Sequence, residues 1–426
     1  MMNRKFYYSL LFALPLWLAT FSQATAQFTL SGQIRPRFQF RNGFKDMPDS
    51  GDKPAAFIAQ RTRLNADYIY DQKVQAYISI QDVRVWGDQD QFADVPNIGL
   101  FEGWVKLNLC EKFAFKFGRQ QLVYDDSRIL GSLNWREAGR SHDAALLMYT
   151  DSTFEVHAGA ALNNDKGSAF QVPYTSDYYK SMQFLWLAKK FGNLKLTGLL
   201  VNNGLENADT TVNYSQTLGG NLYYNTNKVS LQATYYHQLG RNRDDYKVNA
   251  NMLSLQGKVK FTPSLNLTIG ADIMSGTDAD TYMDANNNET NTFDIVYGAR
   301  HKFYGSMDYF YLGFTPVTGL RDFYFKPEWV LNPKFSLSSQ NHFFYTAADM
   351  KNPQDIHQAI DAYLGYELDL MFTWKFNKIT RIRGGYSQMF SAESMEFVKG
   401  KGQHGEVANW AWLEVSVTPV FFKSDK

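Results

Sequence analysis

From Phe28 to Arg41 the chain changes character at every residue. Phe28, Leu30, Gly32, Ile34, Pro36, Phe38 and Phe40 occupy one set of positions, and Thr29, Ser31, Gln33, Arg35, Arg37, Gln39 and Arg41 the other. A period of two sends successive side chains to opposite faces of a β-strand, so this strand has one apolar and one strongly polar face. The pattern returns in Val229, Leu231, Ala233 and Tyr235 against Ser230, Gln232, Thr234 and Tyr236. It returns again in Leu364, Tyr366, Leu368, Leu370, Phe372, Trp374 and Phe376 against Gly365, Glu367, Asp369, Thr373 and Lys375. Helix periodicity is not evident after residue 27.

The connections give a second signal. Short segments rich in Asn, Asp, Pro, Gly and Ser fall at 71–73, 110–111, 151–152, 192–193, 225–227, 262–264, 331–333 and 377–378, as tight turns require. Longer polar segments fall between them, at 42–56, 87–98, 122–139, 164–179, 204–212, 239–247, 277–318, 347–360 and 391–407. Short and long alternate throughout, which separates about eighteen strands and puts both termini on the short-turn side. The expected fold is therefore all-β: a single antiparallel transmembrane β-barrel with short periplasmic turns and long extracellular loops.

Backbone chemistry requires such a sheet to close. An unpaired N–H or C=O costs several kcal/mol in hydrocarbon, so the last strand, Asn409 to Phe421, should pair with the first. Leu413, Val415 and Val417 would then face lipid, and Glu414, Ser416 and Thr418 would face inward. Pro36 removes one ladder bond, and a bulge or the outer rim is expected there. A soluble β-sandwich also alternates, but it rarely needs strands of 10–14 residues or loops sorted by length. Aromatic residues make up 16% of the chain, and Tyr68, Tyr70, Trp374 and Phe376 near strand ends suit interfacial girdles.

Asn3, Arg4 and Lys5 precede an apolar run from Phe6 to Phe21, and Ala24-Thr25-Ala26 follows as a small-x-small cleavage pattern. Residues 1–26 read as a signal peptide and 27–426 as the barrel. Cys110 is the only cysteine, so no internal disulfide forms, and its distance from the cleavage pattern speaks against a lipoprotein anchor. No plug segment precedes the first strand, so a TonB-dependent transporter is not expected. A formal net charge of +1 gives no reason to expect a nucleic-acid partner.

Three arginine pairs, Arg35/Arg37, Arg61/Arg63 and Arg381/Arg383, recur at i,i+2 on polar faces. The first two lie on adjacent strands, and the third is close to them through the closure seam. One wall of the lumen would be rich in guanidinium, whose planar fork matches carboxylate or phosphate. Asp67, Glu102, Glu367 and Asp369 are expected to hold these arginines and to moderate anion binding. The competing reading is internal ion pairs that fill the barrel, although eighteen strands should leave a bore. Narrowing would come from the longest connection, 277–318. Its Asp278, Asp280, Asp284 and Glu289 lack EF-hand spacing and read as a solvated acidic loop. The seven histidines show no metal-ligand spacing and no catalytic set can be assembled, so neither a metal nor another cofactor is expected; His142 and His342 would be the only anchors for an enzyme reading.

Several blocks resemble the alginate export family of outer-membrane proteins. They are Gln81-Asp82-Val83-Arg84-Val85-Trp86-Gly87, Gly118-Arg119-Gln120, Leu130-Gly131-Ser132-Leu133-Asn134-Trp135-Arg136, Gly139-Arg140-Ser141-His142-Asp143 and the run from His301 to Phe310. The resemblance implies an eighteen-stranded, monomeric barrel in the outer membrane of a Gram-negative bacterium, passing an anionic polysaccharide. It also implies pore charges at Arg381, Arg383, Asp82 and Arg84, and a channel-shaping loop carrying His301, Lys302, Tyr304 and Asp308. The expected function is a passive channel for anionic oligo- or polysaccharides such as polyuronates, with periplasmic export or scaffold proteins as further partners. The alternative is a general or small-anion porin, and a barrel enzyme is the third reading.

Overall fold

The computed structural model describes residues 26–424, apart from 94, 175, 311–316 and 353–354. Residues 1–25, with most of the expected signal peptide, lie outside the described residues. The first strands are β1 (Ala26–Asn42), β2 (Ala55–Tyr70), β3 (Val74–Val85), β4 (Ile98–Asn108), β5 (Phe113–Gln120) and β6 (His142–Thr150). Then follow β7 (Phe154–Leu162), β8 (Ser181–Phe191), β9 (Leu194–Glu206), β10 (Val212–Asn225), β11 (Val229–Arg241) and β12 (Lys247–Thr262). The last are β13 (Leu265–Met274), β14 (Leu320–Asn332), β15 (Phe335–Tyr345), β16 (Tyr363–Lys375), β17 (Thr380–Ser391) and β18 (Ala408–Val417, resuming as Val420–Lys423).

Each strand pairs antiparallel with its neighbours in sequence, and β1 also pairs with β18, from Ile34↔Val417 to Asn42↔Asn409. The chain is thus a closed eighteen-stranded antiparallel β-barrel. Ala26 lies across from Tyr70, and Lys423 across from Thr29, so both described ends sit at the short-turn side. Among the described residues no helix is long and apolar enough to cross a membrane, and the strands do the crossing.

The alternation decides sidedness. Ile34 and Phe38 are 47% and 43% exposed, whereas Arg35 and Arg37 between them are 3% and 2% exposed. Leu413 points out and Glu414 in, as the pattern requires. Tyr68, Tyr70, Trp374 and Phe376 are exposed at the turn end, where amphipathic rings suit the membrane interface.

Two local expectations fail. Pro36 lies within an unshifted β1–β2 ladder, opposite Gln60; the seam's register shift falls instead at Leu30/Ser31, beside the break made by Thr418-Pro419. Leu364 faces inward and is fully buried, because a bulge lets Tyr345 pair with Tyr363 and Phe344 with Gly365, so Leu364 has no partner and its parity inverts. Gly365 accommodates this at φ +144°.

The interior is occupied. The connection 121–141 folds into the barrel, and its Leu122, Ile129 and Leu130 pack with Leu146, Met182, Phe184, Trp186 and Val201 on the inner faces of β6, β8 and β9. That sector of the wall is apolar because loop rather than water covers it. The longest connection, 275–319, also turns inward and buries Phe293, Ile295, Tyr304, Met307 and Tyr309. Its acids are spread over separate contacts: Asp278 caps the helix α1 (Ala279–Met283), Asp280 pairs with Lys351, and Glu289 with Lys247 at 2.8 Å.

Candidate functional site

The arginine pairs meet the first inward loop. Arg35 lies directly across from Arg61, an arrangement of like charges that costs free energy unless acceptors surround it. The turn at 134–138 supplies them. Arg35 donates to the carbonyl oxygens of Asn134 at 2.7 Å, Trp135 at 3.1 Å and Arg136 at 3.2 Å. Arg37 donates to Trp135 O at 3.1 Å and lies over the Trp135 ring at 4.0 Å, and its other nitrogen pairs with Glu137. Arg61 donates to Gln33 Oε1 at 2.9 Å and Asn134 Oδ1 at 3.0 Å. Arg63 stacks on Phe101 at 3.5 Å and donates to Gln81 at 2.8 Å and Ala138 O at 3.4 Å. Arg61 also donates to Glu137 O at 3.4 Å, so the five consecutive carbonyls of 134–138 carry guanidinium donors, as the forked, multi-donor geometry of arginine permits.

The carboxylate at the centre of this wall is Glu414, not one of the four acids expected from sequence. It pairs with Arg383 at 2.6 Å and lies 3.7 Å from Arg35 and 3.9 Å from Arg37. Glu102 instead accepts from Gln121 Nε2 at 2.8 Å, and Glu367 from the backbone N–H of Met307 at 2.8 Å. Asp369 accepts from Ser387, and Asp67 from Gln75 at 2.9 Å. Two of the four thus anchor the inward loops and two bridge neighbouring strands.

Arg381 lies on the inner face near the turn side and is exposed. Asp82 and Arg84, by contrast, sit on the outer face. Register pairs Val83 and Gln81 with the inward Arg61 and Arg63, so Asp82 and Arg84 lie with Thr62 and Gln60 on the other side, bound to each other at 2.7 Å. The parity of β3 is set by its partner strand, which reading the motif alone does not supply.

The two inward loops clasp each other. Leu130 and Tyr297 form a parallel bridge, with Gly131 N donating to Tyr297 O at 3.0 Å and Tyr297 N to Ile129 O at 3.1 Å. Arg128 binds Asp272 on β13 through two bonds of 2.8 and 2.9 Å and donates to Tyr304 Oη at 3.0 Å. Lys302 donates to Asp126 O at 2.8 Å. His301 stacks on Trp135 at 4.3 Å and shares a 2.7 Å hydrogen bond with Asp308. The four loop residues singled out in sequence therefore all lie on or beside this clasp.

Beside the loops lie two cavities. One, of about 400 Å³, is bounded by Arg61, Arg63, Tyr77, Glu102 and Asn134. The other, of about 520 Å³, carries Asp125, Asp126, Glu155, Trp186, Lys195 and Tyr223. Sequence reasoning missed Arg128, Asp272 and Glu137. The available signal was an apolar loop: Leu122, Ile129, Leu130, Leu133 and Trp135 are poorly suited to an extracellular loop in water.

A family model described as alginate export matches residues 26–403. No curated protein matches the sequence. Among solved structures, OccAB1 of Acinetobacter baumannii is similar at 11% identity and TM-score 0.64, over 93% of this chain and 97% of that one. OccD3 (OpdP) of Pseudomonas aeruginosa is similar at 11% identity and TM-score 0.61, over 93% and 92%. OpdK of Pseudomonas aeruginosa, solved with vanillate, is similar at 9% identity and TM-score 0.60, over 93% and 99%. At these identities the likeness is one of fold.

Proposed function

Because the chain belongs to the alginate export family, and so is an outer-membrane channel of a Gram-negative bacterium, we propose that it passes carboxylate-bearing saccharides of the uronate class passively, as a monomer. The observation that carries this reading is the cavity under the caged turn, where Arg63 and its neighbours meet Tyr77 and Phe101. A guanidinium replaces part of a carboxylate's hydration, while ring faces accept the C–H face of a pyranose. Arg381 and Arg383, further toward the turn side, give the departing anion a next partner, as stepwise conduction needs. Asp82 and Arg84, on the outer face, have no part in this path.

The clasped loops favour short chains over a continuous polymer, since the two cavities are of short-saccharide size. A small-carboxylate porin is the second reading, favoured by the same cavity sizes and by the OpdK structure with vanillate. A passive channel relaxes a gradient, and its partners on either side set the direction. Proteoliposomes test the reading: efflux of a trapped uronate disaccharide should outpace that of its neutral, carboxyl-reduced counterpart. Equal efflux of both would overturn the uronate preference, and release of small aromatic carboxylates alone would support the second reading.

A further inference from the structure

The strands β5, β6 and β7 have 8, 9 and 9 residues, whereas β1 and β2 have 17 and 16. The wall at the loop end of β5–β7 is therefore low, and a third cavity, of about 320 Å³, lies there, on the other side of the caged turn from the first. On its outer rim Arg119 pairs with Asp143 at 2.8 Å. Residues of the first inward loop, Asn163, Tyr174, Tyr178 and Tyr179 of the next connection, and Tyr297 of the second inward loop line it.

Three rings shape this cavity. Tyr179 and His142 are nearly parallel, at 13° and 5.8 Å between centroids, and Tyr297 stands edge-on to both at 78° and 79°. The Tyr179 hydroxyl and His142 Nδ1 share a 2.9 Å hydrogen bond, which fixes the imidazole. His142 is only 4% exposed, yet its Nε2 has no hydrogen-bond partner among the described residues, and neither does the buried Ser141 Oγ. Leaving a buried polar atom unpaired costs free energy that a partner would return. Two such atoms, on residues that border one cavity together with Arg136, Arg140 and the exposed Tyr178, mark a place where a small displacement lets something that enters complete the hydrogen bonds.

We propose that this cavity is an outer docking site for one uronate ring, reached from the loop side before the saccharide meets the arginine wall. The pyranose face packs on Tyr178, ring hydroxyls bond Ser141 Oγ and His142 Nε2, and the carboxylate lies toward Arg136 and Arg140. The site rests on the reading of the channel as a saccharide conduit and gives that reading an entry point.

Single-channel block in planar bilayers is the test, with a uronate trisaccharide added on the loop side of the wild-type barrel, of Ser141→Ala and of Tyr178→Ala. Heat-modifiable gel migration checks that each variant has closed. The site requires blocking events whose residence falls about tenfold in each variant, equivalent to about 1.4 kcal/mol. Wild-type block that both folded variants reproduce would overturn the docking site and leave the conduit reading standing, with water completing the two hydrogen bonds. Absence of wild-type block from either side would overturn the conduit reading and the docking site with it.

Discussion

Arg128 and Asp272 form a doubly hydrogen-bonded ion pair, 2.8 and 2.9 Å, between the first inward loop and the inner wall of β13. Both side chains are almost completely buried, and Arg128 also pairs with Asp126 of its own loop at 2.8 Å, so the pair is costly to break. The arginine cage fastens the same loop to β1 and β2. The loop is thus tied to opposite parts of the wall, through Arg128 and through 134–138.

Removing one partner of the pair should release the loop. Arg128→Met leaves the buried Asp272 carboxylate without its cation, at a cost of about 3–5 kcal/mol, whereas adding Asp272→Leu removes that unpaired charge, leaves only the less buried Asp126 without its partner and recovers part of the loss. Single-channel recordings should show larger, noisier conductance in the single variant and a return toward wild type in the double. Equal conductance in all three would mean that the pair does not hold the loop.

At Arg37 the fork matters as well as the charge. Arg37→Lys keeps the cation but cannot serve the Trp135 carbonyl, the Glu137 carboxylate and the Trp135 ring together. The lysine variant should loosen 134–138, seen as faster amide hydrogen exchange there. Exchange as slow as in the wild type would show that charge alone suffices.

Sidedness has its own test. Leu255, half-exposed in the middle of β12, should face lipid, and Leu255→Arg should cost about 2–4 kcal/mol of barrel stability if it lies near the midplane. Gln256→Arg, on the inner face, should cost only about 1 kcal/mol, the bond from Tyr324 Oη that it gives up. Urea unfolding in lipid vesicles reads both, and a larger loss at 256 would invert the assignment.

Lys399, on the short helix Ser394–Lys399 of the last extracellular loop, donates to Lys45 O at 2.7 Å and to Tyr309 O. Burial lowers its pKa to about 8 from the usual 10.5. Between those values the unfolded segment binds more protons than the folded one, so the segment's stability should rise with pH from about 8 to about 10.5. Hydrogen exchange over 394–399, corrected for the intrinsic rate, should show protection increasing across that window, and Lys399→Met should abolish the trend. Protection falling with pH in the wild type would contradict it.

Strand positions and closure were legible because the lipid-facing and lumen-facing sets repeat every second residue and because turns and loops differ in length. Register-dependent facts were not. The sides taken by Asp82 and Leu364 depend on pairing and on one bulge, which local sequence does not encode. The inward arginines were legible as inward, but their acceptors were backbone carbonyls of a distant loop, and carbonyls carry no sequence signature. Apolar inward positions such as Leu146, Met182 and Trp186 do break the alternation, and that break is the sequence trace of a loop folded against the wall.

The most direct test of anion passage is the reversal potential of the purified barrel in planar bilayers under a potassium chloride gradient. An arginine-lined lumen should give a potential of the sign for chloride-selective current, reduced when Arg381 and Arg383 are both replaced by alanine. A potential of the opposite sign in the intact protein, reporting potassium selectivity, would contradict it.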